Sequence, residues 1–272
     1  SFLLLPAALL CNTIWYHATN VEVYVPALGV SAALLACGAV LLVDIPSSWR
    51  GRVGPLFWLL GGLSLGMHVT TVMVFGLVLL VVFAHRLRAR EGAGVGAELL
   101  RLLFPGVLFA VLGAVVLVYL PLRAAMTPAV NWGNPAGAVG LMRHLTGQSI
   151  RTSFSQEMMQ FDVGHVLAHS RTYAEQLLRQ VGLLLPLAAF GFWVLLGDRR
   201  SRWQGALLAI VWLSDFAFSV FINPMAQKDL QTSTLSFWLV VVVASVGVME
   251  VGRRAHGRFH RGAWVAGILL VI

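Results

Sequence analysis

Residues 54–84 read GPLFWLLGGLSLGMHVTTVMVFGLVLLVVFA, 31 consecutive positions without Asp, Glu, Lys or Arg. One membrane crossing takes about 20 apolar residues and seldom more than about 25. This run is therefore too long for one ordinary span and long enough for two short ones. Gly61-Gly62 and Gly66-Met67-His68 interrupt it. The run is predicted to be a hairpin of two helices that meet near His68 and leave by the face they entered. One long tilted helix is the alternative.

The distribution of Arg favours the hairpin. Chain segments on the cytoplasmic side of a membrane are enriched in Lys and Arg. With residue 1 on that side and strict alternation, the inner loops hold Arg50 and Arg52, then Arg86, Arg88, Arg90 and Arg101. They also hold Arg199, Arg200 and Arg202, and finally Arg253, Arg254, Arg258 and Arg261. The alternation works only if residues 54–84 cross twice. The outer side then collects Glu22, His68, residues 121–180, and Lys228-Asp229.

Working outward, apolar segments are expected at Phe2–Ile14 (the end of a span), Tyr24–Val43, Leu102–Leu120, Val181–Leu196, Gln204–Ile222 and Thr234–Val251. A last span begins at Gly262–Ile272. With the hairpin this makes nine membrane segments, two of them cut. The chain is 58% hydrophobic and 11% charged, with a mean hydropathy of +0.83. A soluble domain needs more charge than this to cover its surface. The expected fold is all-α, a polytopic membrane helical bundle forming a single transmembrane domain over 1–272. Ser1 is not an initiator Met and the chain ends inside an apolar run, so a piece of a longer protein is expected. The net charge of +8 comes from 18 Arg and one Lys. It reads as topology and attraction to anionic lipid, with no nucleic-acid partner. The preference for Arg, with abundant Ala, Gly and Val, suggests a bacterial inner membrane protein.

Residues 121–180 form the one large polar segment, an outer loop. Val139, Met142 and Leu145, then Val166, Leu167, Tyr173, Leu177 and Leu178, fall at helical spacing. Arg143, His144, His165, His169, Arg171 and Arg179 are assigned to the polar face. Interfacial helices on the outer leaflet are predicted there. Cys11 and Cys37 lie in apolar runs and read as small hydrophobes. Asp215 lies mid-span; an intramembrane acid is a functional candidate by default, but a neutral, protonated carboxyl bonded to a neighbouring helix is the preferred reading. No nucleotide or zinc motif is present. Gly61-Gly62-Leu63-Ser64-Leu65-Gly66 reads as close helix packing, not a phosphate cradle.

Four segments carry a resemblance. They are Trp15-x-x-Ala18-x-x-x-Glu22-Val23-Tyr24; Gly62-Leu63-Ser64-Leu65-Gly66-x-His68; Tyr119-Leu120-Pro121-Leu122-Arg123 followed by Asn131-Trp132-Gly133-Asn134-Pro135; and Asn223-Pro224 with Lys228-Asp229. In this order they resemble the transmembrane protein 260 family, which is similar to protein O-mannosyltransferases of the GT-C glycosyltransferase type. The resemblance implies a membrane enzyme that takes mannose or another hexose from a polyprenyl-phosphate donor. It would pass the sugar, with inversion, to a protein or glycan hydroxyl on the extracytoplasmic face. It also implies a catalytic acid in an outer loop upstream of Ser1, leaving Glu22 a secondary candidate.

The residues themselves suit such chemistry. An acceptor hydroxyl needs a carboxylate to take its proton, and Glu22 is a boundary carboxylate. A leaving lipid phosphate needs a fixed cation, and Arg123 follows directly after a span. His68 could hold phosphate or sugar, with capping or packing as its bland alternative. Asn131 and Trp132 could bind and stack on a sugar ring. His17 and Tyr24 flank Glu22 and could position it, or simply belong to an aromatic belt. His165 and His169 at i, i+4 lack an evident third ligand for zinc. The cofactor is left open, a divalent cation included. A transporter or flippase for a lipid-linked or anionic solute, or a non-catalytic membrane scaffold, are the rival readings.

Overall fold

The computed structural model describes residues 24–43, 46–89, 94–127, 134–155, 161–223 and 233–256. Among these residues all regular structure is helical and no strand occurs. The helices are α1 (Tyr24–Leu41), α2 (Ser47–Ser64), α3 (Val69–Ala89), α4 (Val95–Ala114), α5 (Tyr119–Ala125), α6 (Gly137–Leu145), α7 (Gln148–Ser153), α8 (Val163–Val181), α9 (Leu185–Gly197), α10 (Arg202–Ala217) and α11 (Thr234–His256). A 3-10 turn at Val115–Val118 joins α4 to α5, and another at Gly182–Leu184 joins α8 to α9. A π-helical turn at Phe218–Ile222 ends α10.

Six segments are long and apolar enough to cross a bilayer: Tyr24–Leu41, Val69–Ala89, Val95–Ala125, Val163–Gly197, Arg202–Ile222 and Thr234–Arg254. These make the chain a helical membrane bundle. The count is six among the described residues, against nine expected; the runs at 2–14 and 262–272 lie outside them. The remaining difference is α2, whose N-terminal half carries Arg50 and Arg52 and so lowers its hydropathy. α2 is nevertheless packed as a bundle helix, against α1, α3 and α4.

The run at 54–84 is a hairpin. α2 stops at Ser64, α3 starts at Val69, and residues 65–68 make the turn between them. The alternative of one long helix does not hold. The turn is held by the chain itself. The Ser64 hydroxyl donates to Gly61 O at 2.6 Å. The Thr71 hydroxyl shares its proton between His68 O at 2.6 Å and Ser64 O at 3.0 Å. Carbonyls left over at the end of a helix need such partners, most of all where water is scarce.

α11 is the central element. Of the 18-residue apolar window in Thr234–Arg254, 78% is buried, against 17% in Val95–Ala125. Its Leu235–Ala244 run is buried on every side, so it has no lipid-facing stripe. α9, α10, α8 and α1 surround it. The Val240–Val243 run would favour a strand in water. In hydrocarbon a helix wins, because it satisfies every backbone group within the segment.

Glycine sets the two tightest crossings. A Cβ at Gly191 of α9 would collide with the Val243 carbonyl, and one at Gly247 of α11 with the Leu187 carbonyl. On the other side of the bundle, Gly62 of α2 lies against the Ala110 backbone and Gly113 of α4 against that of Leu59. Backbones meet directly where no side chain keeps them apart, as is usual between membrane helices.

The ends of the helices sort into two groups. At one end His85, near the close of α3, packs on Trp203 at the start of α10, with ring centroids 5.3 Å apart. Arg254 near the end of α11 lies over Phe190 and Trp193 of α9, 5.2 and 5.5 Å from the ring centroids. This is the Arg-rich end. At the other end the start of α1, the 65–68 turn, the π-helical turn and the start of α11 meet. The pairing of helix ends is the one the alternation of Arg requires.

Candidate functional site

His68 occupies the N-cap position of α3. Its Nδ1 accepts from the Thr70 hydroxyl at 2.9 Å and from the Thr70 backbone N–H at 3.4 Å. An imidazole that accepts at Nδ1 is neutral and carries its proton on Nε2. Burial acts in the same direction and lowers the His68 pKa from its ordinary value of 6.5. The capping role foreseen as the bland alternative is therefore real, and it occupies one nitrogen of the two.

The other side of the ring belongs to the site. Tyr24 lies against His68 with centroids 5.3 Å apart, and Phe218 of the π-helical turn meets it edge-on at 6.2 Å. Tyr24, Ala27, Leu28, Ser31, His68, Thr70, Thr234 and Leu235 line a small pocket. It is the size of a water molecule, with hydroxyl and imidazole donors set in an apolar wall. A whole hexose does not fit in it. A single oxygen of a phosphate or sugar would fit, with the rest of the ligand above it.

Arg123 lies in the last turn of α5 and is exposed. The rod that carries it passes the hairpin turn: a Cβ at Gly66 would stand 3.3 Å from the side chains of Val116 and Leu117. Arg123 follows Leu117 by six residues, about 9 Å of helix. It stands at the same end of the bundle as His68 and does not line the pocket. Of the other candidates, His17, Glu22, Asn131 and Trp132 lie outside the described residues. Tyr24 is brought onto His68, and Arg123 is brought to the same end without lining the pocket.

The wall behind the pocket holds a set of residues that the sequence did not connect. Asp215 of α10 is fully buried. Its Oδ2 accepts from the Ser236 backbone N–H at 3.1 Å and from the Ser236 hydroxyl at 2.5 Å. The Tyr173 hydroxyl of α8 donates to Ser236 Oγ at 2.6 Å. Ser236 lies in the first turn of α11, where helical N–H groups have no partner in their own helix. Asp215 thus caps α11 from a neighbouring helix, at the positive end of its dipole. Its Oδ1 has no hydrogen-bond partner, nor has the hydroxyl of buried Ser219 one turn on. Thr234 and Leu235, just before Ser236, line the pocket. The intramembrane position of Asp215 was a usable signal, but nothing in the sequence pointed to Ser236 or Tyr173 as its partners.

α8 corrects one assignment. His169 was placed on its polar face, yet it is buried with Tyr173, Leu177 and Val181 along one stripe. Its Nδ1 donates to the Val220 carbonyl of the π-helical turn at 3.1 Å. The predicted apolar residues Leu167 and Leu178 are exposed instead, as are Val139 and Met142 of α6. α8 and α9 form one helical segment of 35 residues. That is about 52 Å, more than a bilayer core of about 30 Å can hold. Val181, at φ −138° and ψ 18°, marks the break between the two.

Compared with known proteins, the chain matches no family model, no curated protein and no solved structure.

Proposed function

We propose that this chain is part of a membrane glycosyltransferase of GT-C type. It would move a hexose, mannose first among the candidates, from a polyprenyl phosphate to a protein or glycan hydroxyl on the face opposite the Arg clusters. One observation carries the reading: Tyr24, His68, Thr70 and Thr234 come together from three separate helices at that end. Glu22 stands two residues before Tyr24 in the chain, and Arg123 stands at the same end. A polar niche at a helix-end boundary suits a donor whose lipid stays in the bilayer while its sugar faces water. The His68 imidazole would donate through Nε2 to an oxygen of the donor, Arg123 would face the leaving phosphate, and Glu22 would accept or orient the acceptor proton.

The transport reading drew on two features, Asp215 as a charge on a central path and the Gly-broken run at 54–84. Asp215 has a structural task instead, at the N-terminus of α11, and this favours the transferase.

The test is sugar transfer by the full protein in proteoliposomes, with labelled polyprenyl-phosphate mannose and a Ser/Thr peptide. His68→Asn retains a good capping residue and removes the Nε2 donor. It is expected to lower transfer by about 100-fold, the usual scale for loss of one such donor, with the protein still folded at the assay temperature. Full activity in a Glu22→Gln, Arg123→Ala double variant would remove the site assignment. Movement of the intact donor across the bilayer without transfer would establish the transport reading in its place.

A further inference from the structure

We infer that His165 and His169 form a binding site for a divalent transition-metal ion on the first two turns of α8. This does not depend on the glycosyltransferase reading. The two imidazoles are four residues apart on one helix face, and their ring centroids are 3.8 Å apart. His169 is buried and His165 is half-buried. The Val220 carbonyl can only accept, so the His169 hydrogen bond at 3.1 Å places the proton on Nδ1. Nε2 is then left with its lone pair. A histidine whose other nitrogen donates to a carbonyl is the arrangement that orients metal-bound imidazoles and raises their basicity. The two rings lie in contact on one face of α8, tilted 47° to each other, which puts both imidazoles within reach of one ion.

The N-terminus of a helix repels a cation through its dipole. Here Asp162 offsets this: it is the N-cap of α8, and its Oδ1 accepts from the His165 backbone N–H at 2.9 Å. Arg171, two residues beyond His169, is paired with Glu175 at 2.9 Å. With two imidazoles as protein ligands and water completing the shell, the site selects nitrogen-seeking ions and not Mg²⁺ or Ca²⁺.

The π-helical turn gives such an ion a structural consequence. Its Phe218 packs on His68, its Val220 carbonyl holds His169, and its Phe221 stacks on Phe161 with centroids 5.8 Å apart. An ion on His165 and His169 would fix the His169 ring, and with it the hydrogen bond to the π-helical turn whose Phe218 packs on His68.

The experiment is calorimetric titration of the untagged, chelator-stripped full protein in detergent with Cu²⁺, Ni²⁺, Zn²⁺, Co²⁺ and Mg²⁺. Cu²⁺ is expected to bind tightest, Co²⁺ more weakly than Ni²⁺, and Mg²⁺ not measurably. His165→Ala and His169→Gln are each expected to weaken Zn²⁺ binding by about tenfold or more, while His144→Ala leaves it unchanged. Zn²⁺ is also expected to raise the thermal midpoint of the native protein and not that of His165→Ala. Because His165 is half-buried, that variant decides the question even if His169→Gln fails to fold. Zn²⁺ affinity unchanged in His165→Ala, or no tighter than Mg²⁺ affinity in the native protein, would overturn the site.

Discussion

A carboxylate in the apolar interior is costly unless its charge or its proton is engaged. Asp215 is engaged by Ser236 twice, through the backbone N–H and the hydroxyl, and Tyr173 completes the chain. Ser236 therefore matters more than either of its neighbours suggests. Ser236→Ala removes a donor from Asp215 and the acceptor of the Tyr173 hydroxyl, leaving both buried groups short of a partner. The expected loss is about 1–3 kcal/mol, read as a lower midpoint in thermal unfolding in detergent. Tyr173→Phe leaves the Asp215–Ser236 pair whole and should cost less, about 0.5–1.5 kcal/mol. Equal effects would show that the Tyr173 hydroxyl contributes as much as the serine. At this scale the sequence pointed to Asp215 and His68 as residues in unusual places. It could not point to Ser236, because a serine at the start of an apolar run looks the same whether or not an acid from another helix faces it.

At the scale of elements, the helix crossings have one cause, the absence of side chains. Gly61, Gly62 and Gly66 were readable as packing residues, and Gly62 does lie on the α4 backbone. Gly191 and Gly247 sit at the equivalent crossing of α9 with α11. Gly247→Ala must push two backbones apart and is expected to cost about 1–3 kcal/mol, as overpacking does. Gly76→Ala in α3 meets nothing within 4 Å. It should be neutral or stabilising by up to about 1 kcal/mol, because alanine holds a helix better. The comparison is made by thermal unfolding of the two variants side by side. α8 shows the limit of periodicity. The spacing placed His165 and His169 on one face correctly, but which face turns inward was decided by the Val220 carbonyl and the Ser236 hydroxyl, which belong to other helices.

For the whole molecule, the alternation of Arg and the meeting of helix ends agree on two faces. Thr127 beyond α5 and Arg199 between α9 and α10 are both exposed, at opposite ends of the bundle. In sealed cells, a cysteine replacing Thr127 should react with a membrane-impermeant maleimide. One at position 199 should react only after permeabilisation. Both variants are made with Cys11 and Cys37, the two native cysteines, replaced by serine. The reverse pattern would invert the orientation and move the candidate site to the cytoplasmic face.

Composition alone determined that this is a helical membrane protein, since so few charges cannot clothe a soluble bundle of this size. The length of the 54–84 run and the placing of Arg determined the hairpin and the two faces, because crossing length and charge retention act on the chain locally. Only the tertiary structure decided that α11 is central, that Asp215 caps it, and that the pocket is no larger than a water molecule. Apolar helices look alike to the bilayer, and their order in the bundle is chosen by glycine crossings and a few hydrogen bonds between residues far apart in the chain. The hairpin that opened the sequence is thus a property of its own residues. The pocket at its turn is a property of α1 and α11, which close over it.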